Sequence, residues 1–173
     1  MKRNRVRSSA SPKSPEKARE YAFLLLKFRL RSEKELLQRL KQKGFSEELS
    51  QETVNFLKDK EFIDDRVFAK GWVSSRLKRP FGLRRIEQEL VQKGLDKEVI
   101  EDALRQYRGQ SRKTGQSPLE EDYDEGSVIR DLAEKRFSKL KGIESLKARQ
   151  RVYAYLIRRG FSPDLVGEAC KKL

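Results

Sequence analysis

The side chains with a possible chemical role in this chain are clustered cations. One set surrounds a turn at residues 80–82 and is opposed only by Glu87 and Glu89: Arg76, Lys78, Arg79, Arg84, Arg85 and Lys93. A second set lies in residues 147–159, a stretch without any acid: Lys147, Arg149, Arg151, Arg158 and Arg159. Clustered guanidinium and ammonium groups bind phosphates or carboxylates. The two sets favour a discontinuous basic ribbon for a phosphate backbone or an acidic groove, and the alternative is that their long stems only cover thin cores.

Residues suited to catalysis or metal binding are scarce. The chain has no His, the commonest general base and metal ligand. Cys170 falls on an apolar helical stripe, which favours a core thiol over a reactive one. Asp64 and Asp65 are adjacent and point about 100° apart on a helix, so a helix start is favoured over a metal-binding pair. No Gly-rich loop ends in Lys-Ser or Lys-Thr. We therefore expect no enzymatic activity, no metal and no cofactor.

The helices that position the cations follow a repeated pattern. In residues 79–104, Ile86 and Leu90 share one helical face, Gly94 ends that helix, and a second helix follows from Asp96. The same pattern aligns without a gap at Leu36, Leu40, Gly44, Phe45, Ser46, Leu49 and Thr53, and again at Val152, Leu156, Gly160, Phe161, Ser162, Leu165 and Ala169. A further helix precedes each pair, and no segment alternates with period two. The sequence predicts an all-α tandem array of three three-helix, helix-turn-helix-like repeats.

The predicted boundaries divide the chain into five segments. Residues 1–15 form a disordered basic arm, and residues 108–125 a flexible acidic linker. The three repeats occupy residues 16–61, 62–107 and 126–173. The arm either contacts phosphates or is simply solvated. The acids of the linker are either solvated or compete with nucleic acid for nearby basic residues: Glu120, Glu121, Asp122, Asp124 and Glu125.

Local signals predict several helix ends. Ser32 with Glu35 forms a capping box, and Asp64 is placed to cap the next repeat. Pro80 ends a helix because it disfavours helical angles at the residue before it. Two interpretations stay open for Phe81 at the tip of this turn: it contacts a partner, or it packs onto Trp72.

Composition favours an elongated array over a single thick core. Only 36% of the 173 residues are hydrophobic whereas 39% are charged, so each unit has a thin core and much surface. The net charge of +14 implies a polyanionic partner or an acidic protein surface. One Cys excludes a disulfide framework, and no apolar run reaches the length of a membrane span. We expect a cytoplasmic monomer that binds no membrane.

Three passages together resemble the RecX family of bacterial RecA regulators. They are FIDDRVFAKGWVSSR at residues 62–76, FGLRRIEQELVQKG at residues 81–94, and RRGFS at residues 158–162. The middle passage is the most specific, and the similarity covers roughly residues 18–108 and 126–172. The basic arm and the acidic linker lie outside the family pattern.

The resemblance implies a curved, extended molecule without enzymatic activity. It implies binding in the groove of the RecA–DNA filament and modulation, usually inhibition, of the ATPase, recombinase and coprotease activities of RecA in DNA repair. The residues then implied as contacts by their charge are the two cationic sets. The competing hypothesis is a general DNA-binding helical protein that acts on naked single-stranded or double-stranded DNA.

Overall fold

The computed structural model describes residues 14–108 and 123–173. Within these ranges the chain forms nine α-helices and one short 3-10 helix, with no strand, which confirms the all-α prediction. Residues 1–13 and 109–122 lie outside the described residues, and with them most of the predicted basic arm and acidic linker. The described chain divides into two compact units, residues 1–65 and 66–173.

The first unit is a three-helix repeat built from α1 (Pro15–Phe28), α2 (Glu33–Lys43) and α3 (Glu47–Asp59). Each helix packs against the other two. Their apolar faces meet in one small core, as period-3.6 patterning requires. The buried members of this core are Ala18, Ala22, Leu36, Leu40, Phe45, Val54, Leu57 and Ile63.

Side-chain oxygens satisfy the open N–H groups at the helix starts of this unit. The hydroxyl of Ser32 accepts a hydrogen bond from Glu35 N at 3.2 Å, and that of Ser46 accepts one from Leu49 N at 3.2 Å. The N-terminus of α2 gains a second partner, because Glu33 N donates to Asp65 Oδ1 at 3.0 Å. The sequence predicted the Ser32 cap but not the long-range bond to Asp65.

The second unit contains the two other repeats. One consists of α4 (Asp65–Leu77), α5 (Leu83–Gln92) and α6 (Lys97–Arg108). The other consists of α7 (Glu125–Phe137), the 3-10 turn Ser138–Leu140, α8 (Ser145–Arg158) and α9 (Pro163–Lys171). Each has its own core.

The repeat register predicted from the sequence is confirmed by burial and by backbone angles. The equivalent positions Leu36, Ile86 and Val152 are fully buried, and so are Leu40, Leu90 and Leu156. The glycines that follow have left-handed φ angles of 89° at Gly44, 84° at Gly94 and 80° at Gly160. Such angles are readily adopted only by Gly, so this residue ends the second helix of every repeat.

The beginning of α7 differs from the prediction. The sequence places Asp124 and Glu125 in the flexible linker and begins the third repeat at residue 126. Instead α7 begins at Glu125, and the carboxylate of Asp124 accepts hydrogen bonds from Gly126 N at 2.9 Å and Ser127 N at 3.1 Å. A carboxylate at this position stabilises the positive end of a helix. These two acids therefore belong to the start of α7.

Two glycines allow the second and third repeats to approach each other closely. Gly82 is buried, and a Cβ atom built on it would lie 2.2 Å from the carbonyl oxygen of Gly160. A Cβ on Gly160 would lie 2.3 Å from the Cβ of Arg85. Because the obstruction is backbone at Gly82, no rotamer change relieves it. We define the contact of residues 80–83 with the third repeat as the junction.

We predict that Gly82→Ala destabilises the second unit by about 1–3 kcal/mol, the usual cost of forcing extra volume into a packed site. Urea unfolding followed by the fluorescence of Trp72, the single Trp, measures this change. Gly167→Ala is the matched control, since a Cβ at Gly167 would meet no atom within 4 Å. The control should gain up to about 1 kcal/mol of helix propensity. Equal midpoints for the two variants would contradict the close contact at the junction.

Candidate functional site

A groove of about 530 Å³ lies where α5 approaches the end of α8. We call it the junction groove. It is lined by Arg84, Arg85, Gln88, Glu89, Gln92, Ile157, Arg158, Gly160 and Phe161. Three arginines from two different repeats therefore face one space against a single carboxylate. The structure brings together here members of both cationic sets that the sequence analysis identified.

Glu89 organises the second-repeat wall of the junction groove. Its Oε2 accepts hydrogen bonds from Arg76 Nε at 2.6 Å and Trp72 Nε1 at 3.1 Å, while its Oε1 accepts from Arg85 Nε at 3.2 Å. Arg76 also lies over the Trp72 ring, 4.3 Å from its centroid. Burial raises the pKa of Glu89, but the hydrogen bonds from Arg85 and Arg76 outweigh it and hold the pKa below its usual range. Glu89 thus stays a carboxylate that fixes two cations.

Arg84 and Arg158 are the cations of the junction groove that keep their charge available. Both side chains are exposed, and neither has an ion-pair partner within the part of the chain that the structure describes. Because they come from α5 and the end of α8, they flank the groove on its two sides. An unpaired exposed guanidinium is ready to exchange water for a phosphate or carboxylate oxygen.

The junction holds the two groove walls together through four consecutive residues. Arg159 Nη1 donates to Pro80 O at 3.0 Å, and Gly82 N donates to Arg159 O at 3.0 Å. Two further bonds have partners beside the start of α7. Tyr123 Oη donates to Phe81 O at 3.3 Å, and Leu83 N donates to Glu125 Oε1 at 3.1 Å. Burial raises the pKa of the Tyr123 phenol far above its ordinary value, so this donor stays protonated.

Phe81 packs against cations at the junction, and its contact with a partner stays a prediction. Its ring lies under Arg85, 4.2 Å from the guanidinium carbon, and Arg159 approaches it at 5.9 Å. The ring is half-buried. Trp72 instead stacks on Phe68, with ring centroids 5.6 Å apart. Phe81 therefore positions two arginines at the junction through cation–π contacts.

The third-repeat cations divide between two faces of α8. Lys147, Arg151 and Arg158 are spaced i, i+4 and i+11, so they share one face, and all three are exposed. Arg149 lies elsewhere, in a separate pocket of about 310 Å³ beside Tyr153 and Cys170. Cys170 is 8% exposed and belongs to the third core, as predicted. The structure does not bring Arg149 into the junction groove.

The other second-repeat cations lie around the end of α4. Lys78 and Arg79 are exposed in the turn before Pro80. Lys93 lies over the Trp72 ring, 4.9 Å from its centroid. Among the described residues, no group of acids and thiols is arranged to hold a metal ion. Within the same ranges no helix is both long and apolar enough to cross a membrane.

Sequence reasoning missed the two residues beside α7 that hold the junction, Tyr123 and Glu125. A signal was present, because Tyr123-Asp124-Glu125 has the same form as Ile63-Asp64-Asp65, an apolar residue followed by two acids. Asp65 and Glu125 are the first helical residues of α4 and α7. Each accepts a hydrogen bond from the first residue of the preceding repeat's second helix.

The described helices form a tandem arrangement of three-helix repeats with a groove lined by arginines from two of them. Comparison with known families gives three consecutive matches, to the first three-helix domain of RecX over residues 18–57, the second over residues 64–104 and the third over residues 122–170. The chain belongs to the RecX family of regulatory proteins.

Individual relatives agree with this assignment. The chain is 34% identical over 158 residues to the regulatory protein RecX of Chlorobium phaeobacteroides (strain BS1), which covers 91% of this chain and 93% of the relative. It is 32% identical to the regulatory protein RecX of Caldanaerobacter subterraneus subsp. tengcongensis over 88% of this chain and 68% of the relative. A crystal structure of regulatory protein RecX superposes with a TM-score of 0.75 and 25% identity, covering 92% of this chain and 72% of that one. The crystal structure of RecX from Lactobacillus salivarius shares the fold, with a TM-score of 0.73, 24% identity and coverage of 92% and 96%.

We predict that Glu89→Gln lowers the free energy of unfolding by about 1–2 kcal/mol at pH 7, because the amide accepts weaker hydrogen bonds from the two arginines. A depressed folded-state pKa contributes stability above the unfolded value of about 4.3. That contribution is lost as pH falls through the lower folded pKa, so the difference should shrink near pH 3. Urea unfolding followed by Trp72 fluorescence at both pH values measures it. Glu134→Gln, at an exposed position on α7, is the control, and equal effects of the two substitutions at pH 7 would contradict the role of Glu89.

Proposed function

We propose that this protein binds in the groove of the RecA–DNA filament and inhibits the ATPase, recombinase and coprotease activities of RecA. The observation that carries the proposal is the pair Arg84 and Arg158, two exposed and unneutralised arginines from different repeats on one groove. Membership of the RecX family supports the choice of RecA as the partner. The protein acts as a cytoplasmic monomer, by binding and not by catalysis.

The distribution of charge supports a filament over a small ligand. Exposed cations also occur outside the junction groove, at Lys78 and Arg79 in the turn before Pro80 and at Lys147 and Arg151 on α8, where Lys147 pairs with Glu144 at 3.0 Å. A ribbon of separated cations matches a polyanion whose charges repeat along its length. A nucleoprotein filament offers such repeated charges through DNA phosphates and acidic protein side chains.

Three of the other predicted contact residues have positioning roles in this proposal. Arg76 and Arg85 are fixed by Glu89, and Arg159 is bound to Pro80 O. Their guanidinium groups raise the local potential while their geometry shapes the groove walls. The direct contacts are then the exposed cations: Lys78, Arg79, Arg84, Lys147, Arg151 and Arg158.

The proposal is tested by titrating the full chain into RecA assembled on single-stranded DNA and measuring ATP hydrolysis. Inhibition at substoichiometric protein is the expected result. No change in hydrolysis at saturating protein would overturn the proposal. Binding to naked DNA is measured in parallel over a salt series. A general DNA-binding protein would bind naked DNA as tightly as filament, with log K falling by about 0.9 per phosphate neutralised for each tenfold rise in salt.

We predict that Arg84→Glu combined with Arg158→Glu raises the half-inhibitory concentration by about tenfold or more, equivalent to at least about 1.4 kcal/mol. Two repulsive carboxylates would replace the two free cations of the groove. The matched control is Lys135→Glu with Lys139→Glu, which removes the same charge at exposed third-repeat positions that do not line the groove. If the control variant loses as much inhibition, net charge and not the groove determines binding.

A further inference from the structure

Glu125 caps a helix that belongs to a different repeat. In the first unit, α2 begins after Ser32, whose hydroxyl caps the helix locally. Gly82 occupies the equivalent place before α5, and it has no side-chain cap. A side chain at Gly82 is excluded because its Cβ would collide with Gly160 O at 2.2 Å. The close approach of the repeats thus removes the local cap, and Glu125 supplies a carboxylate from α7 to Leu83 N at 3.1 Å.

The hydrogen bond from Leu83 connects the two walls of the junction groove. Leu83 is the first residue of α5, so Glu125 fixes the start of the helix that carries Arg84. Glu125 is itself the first residue of α7, which packs against α8, the helix that ends at Arg158. A continuous series of contacts therefore runs from Arg84 through the cap and α7 to the helix that carries Arg158. Neither oxygen of Glu125 is among the groove lining.

We propose that Glu125 is a positioning residue that sets the spacing of Arg84 and Arg158 without contacting the partner. The expected effect of Glu125 on affinity rests on the proposed function. Its expected effect on the spacing of the two arginines rests on the junction alone. Asp65 offers a precedent in the same chain, since its carboxylate accepts from Glu33 N, the first residue of α2, at 3.0 Å. Burial raises the pKa of Glu125, and the hydrogen bond from Leu83 N opposes that shift.

The first experiment measures geometry without any partner. Nitroxide labels are attached at Glu101→Cys and Glu168→Cys, two exposed positions on α6 and α9, in a Cys170→Ala background of the full chain. Pulsed electron–electron double resonance then gives the distribution of distances between the two labels, and hence between the second and third repeats. Glu125→Ala should broaden the distribution, while Glu125→Gln, which keeps an acceptor oxygen, should leave it unchanged. A distribution equally narrow in Glu125→Ala would overturn the proposal.

The second experiment measures the consequence for binding. Glu125→Ala should weaken inhibition of RecA ATP hydrolysis by about three- to tenfold, because Arg84 at the start of α5 would be less well preorganised for binding. Glu125→Gln should restore it to the native value. In an Arg158→Ala background the further loss caused by Glu125→Ala should fall below about twofold, because coupled residues are not additive. Full additivity would mean that Glu125 acts only on stability, and the positioning role would be rejected.

The two experiments separate the failure of this inference from the failure of the proposed function. If the unaltered protein does not inhibit RecA, the proposed function fails, and the distance distributions still decide whether Glu125 sets the junction. Tyr123→Phe provides a second variant should Glu125→Ala not fold. It deletes only the hydroxyl that donates to Phe81 O at 3.3 Å, and it should broaden the same distribution by a smaller amount.

Discussion

The contact of Gly82 with Gly160 is the constraint on which the second unit depends. Each three-helix repeat buries only a small cluster of apolar side chains, so little of its stability arises from its own core. Repeats of this kind gain stability from their interfaces with neighbours. Here the interface is backbone against backbone, which requires both residues to lack a Cβ atom. Every polar backbone group that this approach buries then needs a partner, and residues 80–83 find theirs in the third repeat.

The junction explains why so many cations lie in one region without all of them being free. A chain with 39% charged residues has few apolar side chains to cover its thin cores, so guanidinium groups take over part of the packing. Arg85 and Arg159 lie against Phe81, and Arg76 lies over Trp72. Glu89 neutralises part of this charge by accepting hydrogen bonds from Arg76 and Arg85.

The fold was predictable from the sequence because its signals are local. Leu36, Ile86 and Val152 lie on apolar stripes of helical period. The glycine at the end of each second helix is there because its backbone φ angle is left-handed. The composition of the candidate site was also predictable, because its arginines are dense in the sequence. The sequence analysis did not predict that Arg149 lies away from the groove that Arg158 lines. The spacing of these two residues on one helix already places them on different faces. The roles of Glu89 and Glu125 depend on contacts across 13 and 42 positions, which no local pattern reveals.

The second and third repeats tolerate the residues inserted between them because Tyr123 and Glu125, which hold the junction, follow the insertion directly. The glycine-to-glycine spacing rises from about 50 to about 66 residues where residues 109–122 intervene. The entropy cost of a connecting loop grows only slowly with its length, by about 0.6 kcal/mol for each doubling. The junction is made by residues that follow the inserted stretch directly, together with Arg159 and Gly160 at the end of α8 in the same repeat. Both anchors thus lie inside the third repeat, so its orientation on residues 80–83 is set by contacts and not by the length of the connection.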